Sequence, residues 1–113
     1  MTLVYKIVAR AAWDAAVAAG RFDGAAIDLQ DGYIHLSTAS QAQDTARLHF
    51  HGQDGLALAA FETEALGAAL KWEPSRGGQL FPHLYGALDP ALAVSVADVL
   101  LDAAGTPQLG LSA

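Results

Sequence analysis

Two short stretches put a histidine between aromatic and hydroxyl-bearing side chains: GYIHLST at 32–38 and LFPHLYG at 80–86. Read as strands with period-two alternation, the first sends Tyr33, His35 and Ser37 to one face and the second sends Phe81, His83 and Tyr85 to one face. Imidazole changes charge near neutral pH and can give, take or relay a proton. Aromatic side chains beside it offer flat apolar surface, so two such faces brought together form the walls of a cleft suited to a planar heterocycle. Each histidine taken singly fits equally well a structural residue whose ring donates to a backbone carbonyl.

Other residues could serve a ligand at such a cleft. Arg76 in the flexible Ser75-Arg76-Gly77-Gly78 loop can bring a guanidinium and free backbone amides to a phosphate or carboxylate, and fits an exposed loop arginine as well. Thr38 opens a helix whose first amides could hold an anion, unless Thr38 and Gln41 satisfy those amides themselves. His49 and His51 flank a helix C-terminus, where a cationic imidazole is favoured, and no carboxylate or cysteine stands at ligand spacing beside them. No metal site is therefore expected. Ser37 lacks the GxSxG setting of a nucleophile, and the carboxylates are scattered over turns and helix faces, with only Glu73 inside a strand candidate.

These residues need elements to position them. Thr2 to Val8 reads as a strand, with Leu3, Tyr5 and Ile7 on one face and Val4, Lys6 and Val8 on the other. Alanine-rich Ala9 to Ala19 reads as a helix closed by Gly20. Residues 21–31, with three aspartates and a glycine, have no clear periodicity and read as a loop long enough to cover a site. A helix runs from Thr38 to near Phe50. Gly55 to Phe61 and Leu70 to Glu73 read as strands, with a short helical turn at 62–69 between them. Pro82 cannot donate to a ladder, which predicts an edge or a bulge for the strand at 80–85. Ala91 to Leu101 is a last strand candidate, and the Gly-Thr-Pro-Gln stretch is expected to fray. The expected organisation is one domain over 1–101 with a tail at 102–113.

Composition bounds the partners. The chain has 113 residues, no cysteine, and six Lys plus Arg against twelve Asp plus Glu. One core is expected at this size. The acidic balance argues against a large nucleic-acid interface, since polyanions are held by Lys and Arg. Without cysteine there is neither a disulfide scaffold nor a thiolate nucleophile. The start carries no signal-peptide pattern, and no apolar run approaches the ~18 residues of a membrane span. A soluble, cytoplasmic protein without a membrane partner is the expectation.

VYKIV near the start, Trp13 in the first helix, GYIHLSTASQ, LKWEPSRGG and FPHLYG together resemble the bacterial family named domain of unknown function 952, over Leu3 to about Val99. The resemblance implies an ADP-ribosyltransferase-like superfamily fold, α+β, with two small, mostly antiparallel sheets and two main helices around an NAD-binding cleft. The order of first strand, helix, IHLST and second helix is similar to that of the RNA 2'-phosphotransferases. By this likeness His35 with Ser37 holds the ribose and nicotinamide side of NAD, with His35 and Tyr5 as the catalytic candidates. Tyr33 stacks or hydrogen-bonds, Arg76 or His83 meets phosphate, and Thr38 and Tyr85 complete the ligand-binding set.

The chain also departs from those relatives. Tyr5 stands where they place a first histidine, no glutamate occupies the third motif's position, and basic residues for an RNA 2'-phosphate are missing. The implied reaction is cleavage of the nicotinamide–ribose bond through an oxocarbenium-like state. The alternative is a non-catalytic module that binds a nucleotide or metabolite in the same cleft.

Overall fold

In the computed structural model, which describes residues 2–111, two antiparallel sheets and a few helices build an α+β fold, as the sequence predicts. The elements are β1 (Leu3–Ala9), α1 (Arg10–Ala19), α2 (Ala26–Asp31), β2 (Ile34–His35), β3 (Ser37–Thr38) and α3 (Ala39–His49). They continue with β4 (Leu56–Glu62), α4 (Thr63–Leu66), β5 (Leu70–Pro74), β6 (Leu80–Leu84), β7 (Ser95–Leu101) and β8 (Pro107–Gln108). The larger sheet has the order β3-β1-β4-β7-β8 and the smaller one β2-β6-β5.

Alternation along β1 and β4 divides the interior in two. Val4, Val8, Ala57, Ala59 and Phe61 face α1 and the small sheet, packing with Trp13, Ala16, Ile34, Leu36 and Leu84. Tyr5, Ile7, Leu58 and Ala60 face the opposite way and pack on Ala42 and Ala46 of α3. The layers are thus α3, the larger sheet, and then the small sheet with α1. Both faces of the larger sheet are covered at β1 and β4, which explains why LALAAF in β4 is a continuous apolar run rather than an alternating one. Trp13 meets the Phe61 ring edge-on, with centroids 6.1 Å apart.

Three expectations are corrected. Residues 26–31 form α2 instead of continuing a loop; at six residues the helix is too short to show a 3.6 period. Its entry requires Gly24, whose φ is 123° and where an added Cβ would lie 2.9 Å from the Asp28 Cβ.

The strand carrying Pro82 lies in the middle of its sheet rather than at an edge. The carbonyl of Pro82 accepts from the Leu36 amide, so its nitrogen faces the same side, one residue past the end of β2. The missing N–H therefore takes no bond from β5. Finally, Pro107–Gln108 does not fray. It pairs with Leu100 and Leu101, and Gln43 of α3 clamps it by donating to the Pro107 carbonyl and accepting from the Leu109 amide.

Phe61 is fully buried where α1 meets the larger sheet, so its truncation leaves a cavity that rigid strands cannot close. Phe61→Ala is expected to lower unfolding stability by about 3–5 kcal/mol, read from urea denaturation midpoints.

Candidate functional site

GYIHLST crosses from one sheet to the other. Ile34 and His35 belong to the small sheet, Ser37 and Thr38 to the larger one, and buried Leu36 is the single residue between them. Ile34 and Leu36 point into the core, so Tyr33 and His35 lie on the outer face of the small sheet. On β6 the same alternation buries Leu84 in the core and places Phe81, His83 and Tyr85 outward. His35 and His83 are register partners, and their ring centroids are 5.7 Å apart. The two histidine stretches pair directly, forming one continuous face instead of opposed walls.

Asp28 anchors this face from below. Its side chain is only 1% exposed and takes hydrogen bonds from the Ala25 and His35 amides at 2.8 and 3.1 Å. Lys6, reaching through from β1, lies 2.9 Å from its Oδ2 and also donates to the His35 carbonyl at 3.0 Å. The His35 Nδ1 stands 2.6 Å from Asp28 Oδ1, and its Nε2 stands 2.9 Å from Asp31 Oδ2 at the other end of α2. A ring with a carboxylate at each nitrogen is held at both ends, which fixes its orientation.

Electrostatics agree with ionised Asp28. Burial pushes its carboxyl up, but the hydrogen bond from His35, the Lys6 charge and the Lys6 and Ala25 hydrogen bonds outweigh that, holding it well below the usual carboxylate range. Burial lowers the Lys6 ammonium from its ordinary value, with Asp28 opposing the shift. The pair balances inside the protein, where either charge alone carries a large desolvation penalty.

His83 has a different partner. Its Nδ1 lies 2.8 Å from Glu73 Oε1, and the Tyr85 hydroxyl donates to the same oxygen at 2.7 Å. Those two hydrogen bonds, His83 first, hold the Glu73 carboxyl below its ordinary value; the Tyr85 phenol is raised by the same contact. Tyr33 stacks on the His83 ring, with centroids 4.1 Å apart and planes 27° from parallel, and it also touches His35 and Tyr85 at 4.7 and 5.3 Å. Burial raises the Tyr33 phenol, helped by the negative charges of Asp31 and Glu73.

The remaining sequence candidates divide between this face and the interior. Arg76 sits 5.0 Å over the Phe81 ring, next along β6 from His83, and donates to Thr45 in α3. Ser37 turns away from the histidines and meets Thr45 Oγ1 at 3.3 Å. Tyr5 pairs with Ser37 and packs with Ile7, Ala42 and Ala46, on the opposite side of the larger sheet from Lys6. The Thr38 amide is taken by Gln41 Oε1 at 3.1 Å. A cavity of about 350 Å³ opens beside Tyr33, lined by Arg21, Asp28, Leu29, Gly32 and Gly86 among others.

Sequence reasoning missed Lys6, Asp28 and Asp31 and left Glu73 without a role. A signal for one of them was present. A lysine inside an otherwise apolar strand requires a buried carboxylate partner.

The family profile described as Protein of unknown function (DUF952) matches residues 7–96. The chain belongs to this family. Its fold is close to the X-ray crystal structure of Protein CC0527 from Caulobacter crescentus, with a TM-score of 0.94, 59% identity and 96% of each chain covered. The solution NMR structure of CC0527 gives a TM-score of 0.87 at 59% identity, covering 97% of this chain and 95% of that one. No curated protein matches the chain.

In this DUF952 protein the Lys6–Asp28 pair sets the expected response to mutation. Asp28→Ala strands a buried ammonium and is expected to cost about 3–5 kcal/mol, whereas the double variant Lys6→Met/Asp28→Leu is expected to cost clearly less, both read by chemical denaturation. A double variant as unstable as Asp28→Ala contradicts the pairing.

The depressed folded value of Asp28 also fixes the acid response. Its contribution is complete above the unfolded carboxylate value of about 4 and is lost as pH falls further, through the folded value. Thermal melts from pH 6 downward are expected to show the drop beginning near pH 4 in the parent and to be shallower in Lys6→Met/Asp28→Leu.

Proposed function

We propose that the outer face of the small sheet binds a nucleotide of the NAD or ADP-ribose kind, with cleavage or transfer at the nicotinamide–ribose bond as the associated reaction. One observation carries this reading: His35 and His83 face each other in register within a patch of Tyr33, Phe81 and Tyr85, with the Arg76 guanidinium at its end. Aromatic surface takes a planar base or pyridine ring. Fixed imidazoles suit ribose hydroxyls, and a guanidinium suits a phosphate. The resemblance of GYIHLST and its flanking helices to ADP-ribosyltransferase-like proteins supports the choice of dinucleotide.

The roles follow from the contacts. His35, held at both ring nitrogens, is a fixed surface against which the ribose rests, with Asp31 beside it to accept from a hydroxyl, while Tyr33 and Tyr85 meet the ring and Arg76 meets the phosphates. Ser37 supports Arg76 indirectly, since both bond Thr45. Tyr5 and Thr38 act from beneath, on the strand and helix end that hold this segment in place. Asp28 is fully engaged by its neighbours, which favours a non-catalytic binding module as the second reading.

Titration with NAD and ADP-ribose is expected to move the NMR signals of Tyr33, His35 and His83 first. Arg76→Ala is expected to weaken binding about tenfold, or roughly 1.4 kcal/mol. No shift at millimolar nucleotide sinks the proposal. Release of nicotinamide by the parent, lost in His35→Gln with nucleotide still bound, separates enzyme from binding module.

A further inference from the structure

The geometry points to His83 as a general base, oriented by Glu73 and covered by Tyr33, that activates the acceptor in the reaction proposed above. Glu73 Oε1 accepts from Tyr85 and faces His83 Nδ1 at 2.8 Å. An ionised carboxylate can only accept, so Nδ1 carries the proton and, in the neutral ring, Nε2 keeps its lone pair. That nitrogen has no hydrogen-bond partner among the described residues, yet no fully buried polar side-chain atom there lacks one, so Nε2 keeps some contact with solvent. A histidine that is 3% exposed, backed by a carboxylate and left with one free nitrogen, is built for proton transfer.

Tyr33 is the cover. Its ring lies on the imidazole, its hydroxyl has no hydrogen bond among the described residues, and it follows Gly32, whose φ of 87° lets the chain turn sharply there. Displacing the ring bares His83 without breaking a polar contact. His35, with a carboxylate at each nitrogen, cannot serve as a base in the same way.

This assignment rests on the nucleotide reading and supplies its missing step. Nε2 takes the proton from an acceptor hydroxyl or water as that oxygen forms its bond to the ribose C1′. The bond from C1′ to the nicotinamide nitrogen breaks, and neutral nicotinamide leaves with the electron pair. The imidazolium is balanced by Glu73 and returns its proton to solvent.

Two measurements need no nucleotide, so their failure is separable from failure of the ligand reading. Long-range ¹H–¹⁵N spectra of the intact protein above neutral pH are expected to show the Nδ1–H tautomer at His83, shifting toward Nε2–H in Glu73→Ala. Carbethoxylation mapped by mass spectrometry is expected to be several-fold faster at His83 in Tyr33→Ala than in the parent, with His49 unchanged as an internal control. An Nε2–H tautomer in the parent overturns the base, and equal carbethoxylation rates overturn the cover.

With NAD bound, Glu73→Ala is expected to slow nicotinamide release by about 10²–10⁴-fold at unchanged NAD affinity. Unaltered release in that variant, or no release by the parent with NAD bound, overturns the catalytic role.

Discussion

The charge pair between Lys6 and Asp28 ties the first strand of the protein to its histidine face. Burying either ion alone is prohibitive, so wherever β1 carries Lys6 into the interior, Asp28 must follow. Asp28 also receives the amide of Ala25 at the mouth of α2 and both the amide and ring of His35. A helix of only six residues, marginal by itself, is thereby fixed against the small sheet. The orientation of His35 follows from that requirement at one ring nitrogen, with Asp31 holding the other and Tyr33 lying against the ring.

The two sheets share this logic. Because the chain passes between them with one intervening residue, His35 and Ser37 report to different layers although they are two positions apart. His35 looks out from the small sheet and Ser37 looks toward α3. Thr45 closes the circuit from the far side, bonding Ser37, and through Arg76 it reaches Phe81 at the end of the histidine face. The polar groups thus connect the helix layer to the outer face around the apolar core rather than through it.

Much of this was legible in the sequence. Alternation in YIHLS and FPHLY identified Tyr33, His35, Phe81, His83 and Tyr85 as sharing the outer face but wrongly added Ser37, which lies past the crossing between the sheets; cap chemistry marked the start of α3 at Thr38, and Glu73 stood out as the acid inside a strand. What alternation cannot give is which strands pair, so the direct meeting of His35 with His83 had to come from the fold. Asp28 was hidden because α2 is shorter than two helical turns and its role is tertiary, reached from Lys6 twenty-two residues earlier in the chain. Pro82 misled for a related reason. An edge is one place where a strand can lack an amide hydrogen; the end of a neighbouring two-residue strand is another.

The outer strands of the larger sheet, β3 and β8, are two residues long, while β1, β4 and β7 inside them have seven each. Unpaired strand edges are templates for intermolecular pairing, and short ones offer little to copy. β8 adds a buried proline and is locked by Gln43. The last described segment is therefore a partial guard: by pairing with Leu100 and Leu101 it closes one end of β7 and shortens the edge on which further copies of the chain could assemble.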